Sequence, residues 1–584
     1  MSMASSPLPS AAQVLRLLVE TLAPERQFLG LAIVYGIGIS LLSLATPVAV
    51  QILINTVAHT GLTTPLIVLS VTLFGLLLAS GLLSALRIHL MEVFGRRLYA
   101  RLVAEISLKA VYARDPFFAD SGRGPLFNRY FDIITVQKNI PILFIGGFTV
   151  LLQVMVGFLL VSFYHHLFMI FSLVIIGLIW LIWLIWGRGA IQTAVAQSQA
   201  KHRSAAWLEG LASSNGFYKS ERHIAQALKG TDQVTATYVE THKRHFRRHF
   251  SQTLAFFLLY AAASAILLGL GGWLVIDGQL TLGQLVAAEL VLSAAFFGVS
   301  QLGTYLGYFY DLCASVEELS LFDGVEQERP VGQNTIQSED SSLSFRNVVG
   351  QVRTHTVTFN LELPGNIFVQ GRAEDYGTQR FFTGLLKRFI DPKGGAMTLG
   401  GQDVTSIDVH DLRRAVVVLD RPNVIETTIR NYLTLSLQAP DSRKILEVLR
   451  IVGLDDVVAD LPDGLDTELA TTGWPLSTAE MMQLKLAATL LGQPLVLCLS
   501  QLFDMMPLET LLTAIAHYKE TTGGTVVYFT NRGHSLGADR YLVLGRYHQS
   551  VLAQWEDYIR ESPRSLSALS VAETQKTALS GGAL

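Results

Sequence analysis

Cysteine is nearly absent from this 584-residue sequence: only Cys313 and Cys498 occur, far apart, one in an apolar span and one in an apolar strand. No disulfide framework or cysteine-based metal site is implied, which suits a reducing environment. Charge is scarce too. Asp, Glu, Lys and Arg make up 16% of the residues and the formal net charge is −3. A nucleic-acid partner is therefore excluded for want of a basic footprint. What the chain has instead is apolar bulk, with 50% hydrophobic residues and a mean hydropathy of +0.39.

That bulk is concentrated in the first half. Apolar stretches long enough to cross roughly 30 Å of hydrocarbon recur, with spans expected near 28–56, 66–92, 141–164, 167–186, 254–276 and 284–312. Three short connections, 56–65, 162–166 and 277–283, contain no Lys or Arg. The two long ones, 93–140 and 187–253, are rich in both, from Arg96 and Arg97 to Lys138 and from Arg188 to Arg248. The positive-inside rule then places the long connections and both termini in the cytosol of an inner or plasma membrane. Helical periodicity at Leu98–Val111 and Ala196–Leu211 predicts that the spans continue as helices beyond the bilayer. Residues 1–27, with Leu15, Leu17, Leu18 and Leu22, are expected to form an interfacial helix.

The short–long–short–long–short rhythm of connections resembles the transmembrane domain of ABC exporters. The run DPFFADSGRG from Asp115 resembles that family's first coupling segment, and DGQLTLGQLV from Asp277 its turn between the last two spans, closest to the type I protein-secretion branch. The resemblance implies a six-helix membrane domain over 28–315. Its coupling segments fall near 114–124 and 212–222, with Phe117, Phe118 and Tyr218 as candidate coupling residues.

A polar stretch, 316–342, is expected as linker. From 343 to 555 the matches continue in the order of an α/β P-loop-type ABC nucleotide-binding domain: LSFRNV from Leu343, KRFIDPKGG from Lys387, DVHDLRR from Asp408, TIRN from Thr428, LPDGLDTE from Leu461, PLVLCL from Pro494 and ADRYLVL from Ala538. Residues 556–584, rich in Ser, Ala and Gly, read as a disordered tail.

The resemblance fails where chemistry should occur. A phosphate loop needs G-x-x-x-x-G-K-[ST], with glycines that let backbone N–H groups close around phosphate, a Lys for charge and a hydroxyl for Mg²⁺. The chain reads GRAEDYGTQR from Gly371. Anchoring on Gly371 puts Gly377 at the lysine position; anchoring on Asp391-Pro392 puts Gln379 there, after Thr378. Glu374 and Asp375 bring carboxylates where a triphosphate would lie, each like-charge contact costing roughly 4 kcal/mol at about 4 Å, with Arg372 or Arg380 as partial offset. The alternative for this acidic pair is a solvated loop that meets no ligand.

The Asp-Glu pair that ends the next apolar strand in the family is Ser500-Gln501, the switch histidine is Asn531 and the glutamine entering the helical subdomain is Asp420. Ser is a poor ligand for a hard cation, and Gln cannot take a proton from water. No aromatic residue stands where adenine stacks, and the segment between Val348 and Val357 is short for the family. The signature reads LSTAE from Leu476, keeping Ser477 but replacing the glycines by Thr478 and Ala479. Ser477 is either a plain helix cap or a group completing a partner's site.

In the membrane half, Glu289 lies in an otherwise apolar run and is a candidate for the transport pathway; the alternative is local pairing near the outer interface. Gln51, Asn55, Gln153 and Gln301 are read as helix-packing groups, and Arg87 and His89 as interfacial anchors. The expected function is that of a half-transporter in membrane lipid, without its own catalytic residues or metal. ATP and Mg²⁺ would be held only at a composite site completed by an active second half-transporter through Ser477. A heterodimer is expected ahead of a homodimer. The competing reading, from a different class, is a membrane scaffold or regulatory receptor that has no nucleotide cycle.

Overall fold

The computed structural model describes residues 9–59, 63–114, 118, 124–328, 332, 334–435, 437 and 441–561. It divides into two compact units, Met1–Gln327 and Glu328–Leu584.

The first unit is helical: α1 Ala11–Leu22, α2 Arg26–Leu42, α3 Ala45–His59, α4 Thr63–Val111, α5 Tyr130–Ile142, α6 Phe148–Ser162, α7 His166–Ser213, α8 Glu221–Ile276 and α9 Leu282–Ser320. Among the described residues, six helical stretches are long and apolar enough to cross a membrane. Their starts are specified locally. Ser220 accepts from the His223 N–H to cap α8, and Thr281 forms a reciprocal capping box with Gln284 on α9. On α4 the side chains of Leu66, Ile67, Val68, Val71, Phe74, Leu78 and Leu82 are exposed, the arrangement of a helix solvated by hydrocarbon rather than by water.

Two irregularities interrupt the spans. The first breaks at Ser43–Leu44 between α2 and α3, with Pro47 in the first turn of the new helix, where its missing N–H costs nothing. The third carries Pro141 and then a π-turn at Leu143–Gly147 before α6. Gly146 is required there: a Cβ would sit 2.4 Å from the Tyr305 hydroxyl on α9. α1, capped by Ser10 and Gln13, turns its Ala11, Val14 and Leu18 stripe into a core shared with α4, α5, α7 and α9, so this stripe faces protein rather than lipid. α9 continues to Ser320, into the stretch expected as linker.

Buried charge ties these helices together. Asp132 on α5 is fully buried and accepts from Lys201 Nζ (3.0 Å), His202 Nε2 (2.5 Å) and Ser315 Oγ (3.2 Å). Arg129 Nε donates to the buried Glu318 at 2.6 Å. Arg87, expected as an interfacial anchor, is instead buried, with a guanidinium N–H on the Thr149 hydroxyl.

The second unit is α/β. A four-stranded antiparallel sheet is built from β1 Leu343–Val352, β2 His355–Leu363, β4 Gly394–Leu399 and β5 Gln402–Asp403, in the order β2-β1-β4-β5. A six-stranded sheet contains β3 Phe368–Ala373, β6 Val416–Leu419, β9 Val496–Leu499, β10 Thr525–Phe529, β11 Arg540–Leu544 and β12 Gln549–Leu552, in the order β12-β11-β3-β10-β9-β6. β12 is antiparallel and the rest parallel. β7 Thr427–Thr428 pairs β8 Glu468–Leu469.

The helices are α10 Tyr376–Leu386, α11 Val409–Ala415, α12 Ile429–Thr434, α13 Ser442–Ile451, α14 Asp455–Asp460, α15 Thr478–Gly492, α16 Leu508–Thr522 and α17 Trp555–Arg560. The runs VLCL and TVVYF of β9 and β10 are wholly buried, as befits strands covered on both faces. Cys498 lies in that core. The chain expected to be a disordered tail from 556 includes α17, because Tyr558 buries its ring against Tyr541 and Trp555. Residues 562–584 lie outside the described residues.

Candidate nucleotide site

Parallel strands β3, β9 and β10 end at one edge of the sheet, the edge where ligands bind in open α/β sheets. The loop after β3 is only Glu374 and Asp375, since α10 begins at Tyr376. Gly371 lies inside the strand, opposite Phe529 and Leu542, and Gly377 lies inside the helix. Neither has positive φ, so these glycines do not build the concave nest of N–H groups that holds phosphate.

Asp375 caps α10: its carboxylate accepts from the Thr378 N–H (3.1 Å) and the Thr378 hydroxyl (2.9 Å). It also accepts from Arg546 Nε at 3.1 Å, while Glu374 accepts from the Arg546 backbone N–H at 3.0 Å. Burial works against ionising Asp375, but the Thr378 donors and Arg546 outweigh it and hold the carboxyl below its usual range. The acidic pair is therefore an ordered ion cluster rather than the solvated loop considered from sequence. Arg546 was missed there because it enters from the β11–β12 turn, far along the chain. Arg372 is not part of this cluster; its guanidinium lies over the Tyr558 ring at 5.3 Å.

Gln379 and Gln501 face one another across the sheet edge and exchange hydrogen bonds, Gln379 Nε2 to Gln501 Oε1 at 3.1 Å and Gln501 Nε2 to Gln379 Oε1 at 2.7 Å. One of the two positions the family resemblance offers for the lysine, and the position it offers for the general base, are thus joined as a neutral amide pair. Ser500 caps the short turn after β9, accepting from the Leu502 N–H at 3.4 Å.

The loop after β10 is held by a residue that sequence reading missed. Asp504 accepts from the Tyr528 hydroxyl, the Thr530 hydroxyl (2.5 Å) and the Asn531 N–H (3.0 Å), with Arg532 Nε at 3.5 Å. The signal was a lone Asp in the apolar run LFDMM after β9. Asn531 takes part through its backbone.

At the signature, Ser477 caps α15 and forms a closed box with Glu480. Its Oγ accepts from the Glu480 N–H (3.3 Å), and Glu480 Oε2 accepts from the Ser477 N–H (2.7 Å). Thr478 is the first residue of that helix. Two turns on, Lys485 donates to the Arg421 and Asn423 carbonyls (2.6 and 2.5 Å), propping the loop that carries Asp420. Burial raises the Asp420 carboxyl, opposed by nearby Arg421, Arg380 and Lys485.

Burial pushes the Lys485 ammonium down to about 8, from 10.5. Below about pH 8 the group is charged whether the chain is folded or not, so the cost of burying it is carried in full. Between about pH 8 and 10.5 the folded state sheds the proton first, so this contribution makes stability rise with pH, by at most about 3 kcal/mol. Thermal denaturation of the full chain from pH 8 to 10 should show wild type gaining more than Lys485→Met. Parallel curves would remove Lys485 as the source.

The family described as the ABC transporter transmembrane region matches residues 29–300. This segment is similar to ABC transporter transmembrane regions. Relatives include the alpha-hemolysin translocation ATP-binding protein of Escherichia coli O157:H7, 25% identical over 260 residues, 43% of this chain and 36% of that protein. The leukotoxin translocation ATP-binding protein of Mannheimia glucosida is 23% identical over 307 residues, 50% of this chain and 43% of that protein. The chain thus matches about two fifths of the length of these curated relatives. A bacterial Atm1-family ABC exporter solved with ATP bound superposes with a TM-score of 0.78 at 17% identity, covering 93% of this chain and 99% of that one. The chain therefore has the ABC exporter fold and is an integral membrane protein.

Within residues 29–300, half-buried Glu289 pairs locally: its Oε1 accepts from Ser293 Oγ at 2.9 Å, one turn along α9. Its Oε2 is buried with no hydrogen-bond partner among the described residues. Gln51 accepts from the Tyr164 hydroxyl at 2.7 Å, a bond from α3 to the turn between α6 and α7. Of the candidate coupling residues, Phe117 lies outside the described residues. Phe118 packs edge-on against Phe127 (5.1 Å), which packs on Phe322 (5.6 Å). Tyr218 sits in the tight connection between α7 and α8, beside Phe217, which stacks on His223 at 4.4 Å.

Proposed function

We propose that this chain is a non-hydrolysing half-transporter subunit of ABC exporter fold, with its long helical connections and α/β unit on the cytosolic side. The observation that carries the reading is that carboxylates of the chain itself cap both helix N-termini on which the fold would hold phosphate, Asp375 on α10 and Glu480 on α15. A triphosphate there would compete with an attached carboxylate and meet its charge. With Gln379 tied to Gln501, the residues present do not fit ATP and Mg²⁺. The subunit would supply half of a translocation pathway and move with an ATP-hydrolysing second half-transporter.

The Ser477–Glu480 box also favours a second reading. A signature closed in this way contributes little to a partner's site, which supports a membrane scaffold or receptor. Purification from the native membrane with a fluorescent nucleotide and an ATPase assay separates these. The chain alone is expected to give neither nucleotide binding nor Mg²⁺-dependent hydrolysis; hydrolysis by the chain alone would overturn both readings. Co-purification of an intact half-transporter supports the subunit, and a self-associated chain supports the scaffold.

A further inference from the structure

Beside the Asp132 cluster, α5, α7 and α9 enclose a cavity of about 220 Å³. Ala194, Gln197, Ser198 and Lys201 follow one stripe of α7, and Asp311, Ala314 and Ser315 one stripe of α9, with Thr135 from α5. The walls are polar and incompletely paired. Ser198 is 93% buried, yet among the described residues its Oγ has no hydrogen-bond partner, and neither has Gln197 Oε1. Exposed Asp311 stands at the mouth, and Lys201 is half exposed. The back is rigid, because Asp132 accepts from both Ser315 Oγ and Lys201 Nζ.

Buried polar atoms without partners are costly. A cavity lined by unpaired acceptors, a carboxylate and an ammonium wants a ligand bearing both charges. We infer that this cavity binds a small zwitterionic α-amino acid, its ammonium on Asp311, Gln197 Oε1 and Ser198 Oγ and its carboxylate on Lys201. The ligand must be compact: smaller apolar cavities, of about 150 Å³, hold benzene, and Ala194 and Ala314 leave room for a short side chain. Asp132 is a positioning residue here, aiming Lys201 without touching the ligand. The inference does not depend on whether the α/β unit takes nucleotide.

The test is calorimetric titration of the full chain in lipid nanodiscs with L-alanine, n-propylamine and propionate, all at millimolar concentration. Binding of L-alanine is expected, with propylamine and propionate each about tenfold weaker or worse, since each lacks one charge-assisted set. Asp311→Asn should weaken L-alanine by about tenfold. Asp311 is exposed, so the variant keeps the fold. Ala314→Leu, which fills the cavity, should abolish binding while leaving thermal stability measurable as a control. No heat with L-alanine, equal binding of propionate or propylamine, or an unaffected Asp311→Asn would each overturn the proposal.

Discussion

Replacing Asp132 by alanine is expected to destabilise the membrane domain by about 2–4 kcal/mol, the cost of removing a buried charged acceptor shared by three donors. Its carboxylate is fully buried and receives three side chains from two other helices, Lys201 and His202 of α7 and Ser315 of α9. Asp132→Asn keeps the volume and one acceptor, so it should fall between wild type and alanine. Fluorescence-monitored thermal unfolding in detergent reads the difference as a drop of several degrees. If Asp132→Ala melts with wild type, the cluster is not what joins α5, α7 and α9.

The second large effect is expected at Asp504. Asp504→Ala would remove at once the acceptor for the Tyr528 and Thr530 hydroxyls and the Asn531 N–H, and the counter-charge of the Arg532 guanidinium. The Tyr528 ring is fully buried, and Asp504 contributes to raising its phenol above the usual range, after burial itself. Losing a charged acceptor with several buried donors costs about 2–4 kcal/mol. The loop after β10 should also loosen, read as faster amide exchange at Asn531 and Arg532 in the full chain. Unchanged exchange would mean that the backbone alone holds this loop. Asn531→Ala should change little, since only its backbone N–H is engaged.

Much of the architecture was legible before any coordinates. Six spans and an α/β unit follow from long apolar runs and from short buried strands between helical stretches, because both signals are periodic and local. The break at Ser43–Leu44 and the π-turn after Pro141 were not separable from straight spans, since hydropathy averages over such irregularities. α17 was read as tail because its anchors, Trp555 and Tyr558, pack on Tyr541 of β11, which no local pattern relates to them. The candidate site was legible as residue identities only, Gly377 and Gln379, Ser500 and Gln501, and Asn531, without their partners.

What the sequence by itself determined, then, is the set of groups available at each position and the alternation of spans and connections, both properties of neighbours along the chain. Only the tertiary structure decided what those groups do. Arg546 meets Asp375 across 171 residues and Gln379 meets Gln501 across 122. The Asp504 network, the Asp132 cluster and the cavity beside it likewise join residues that no local pattern relates. Local propensities select helices and strands, but charges and amides find partners by distance in space, and in a folded chain that distance is set by packing.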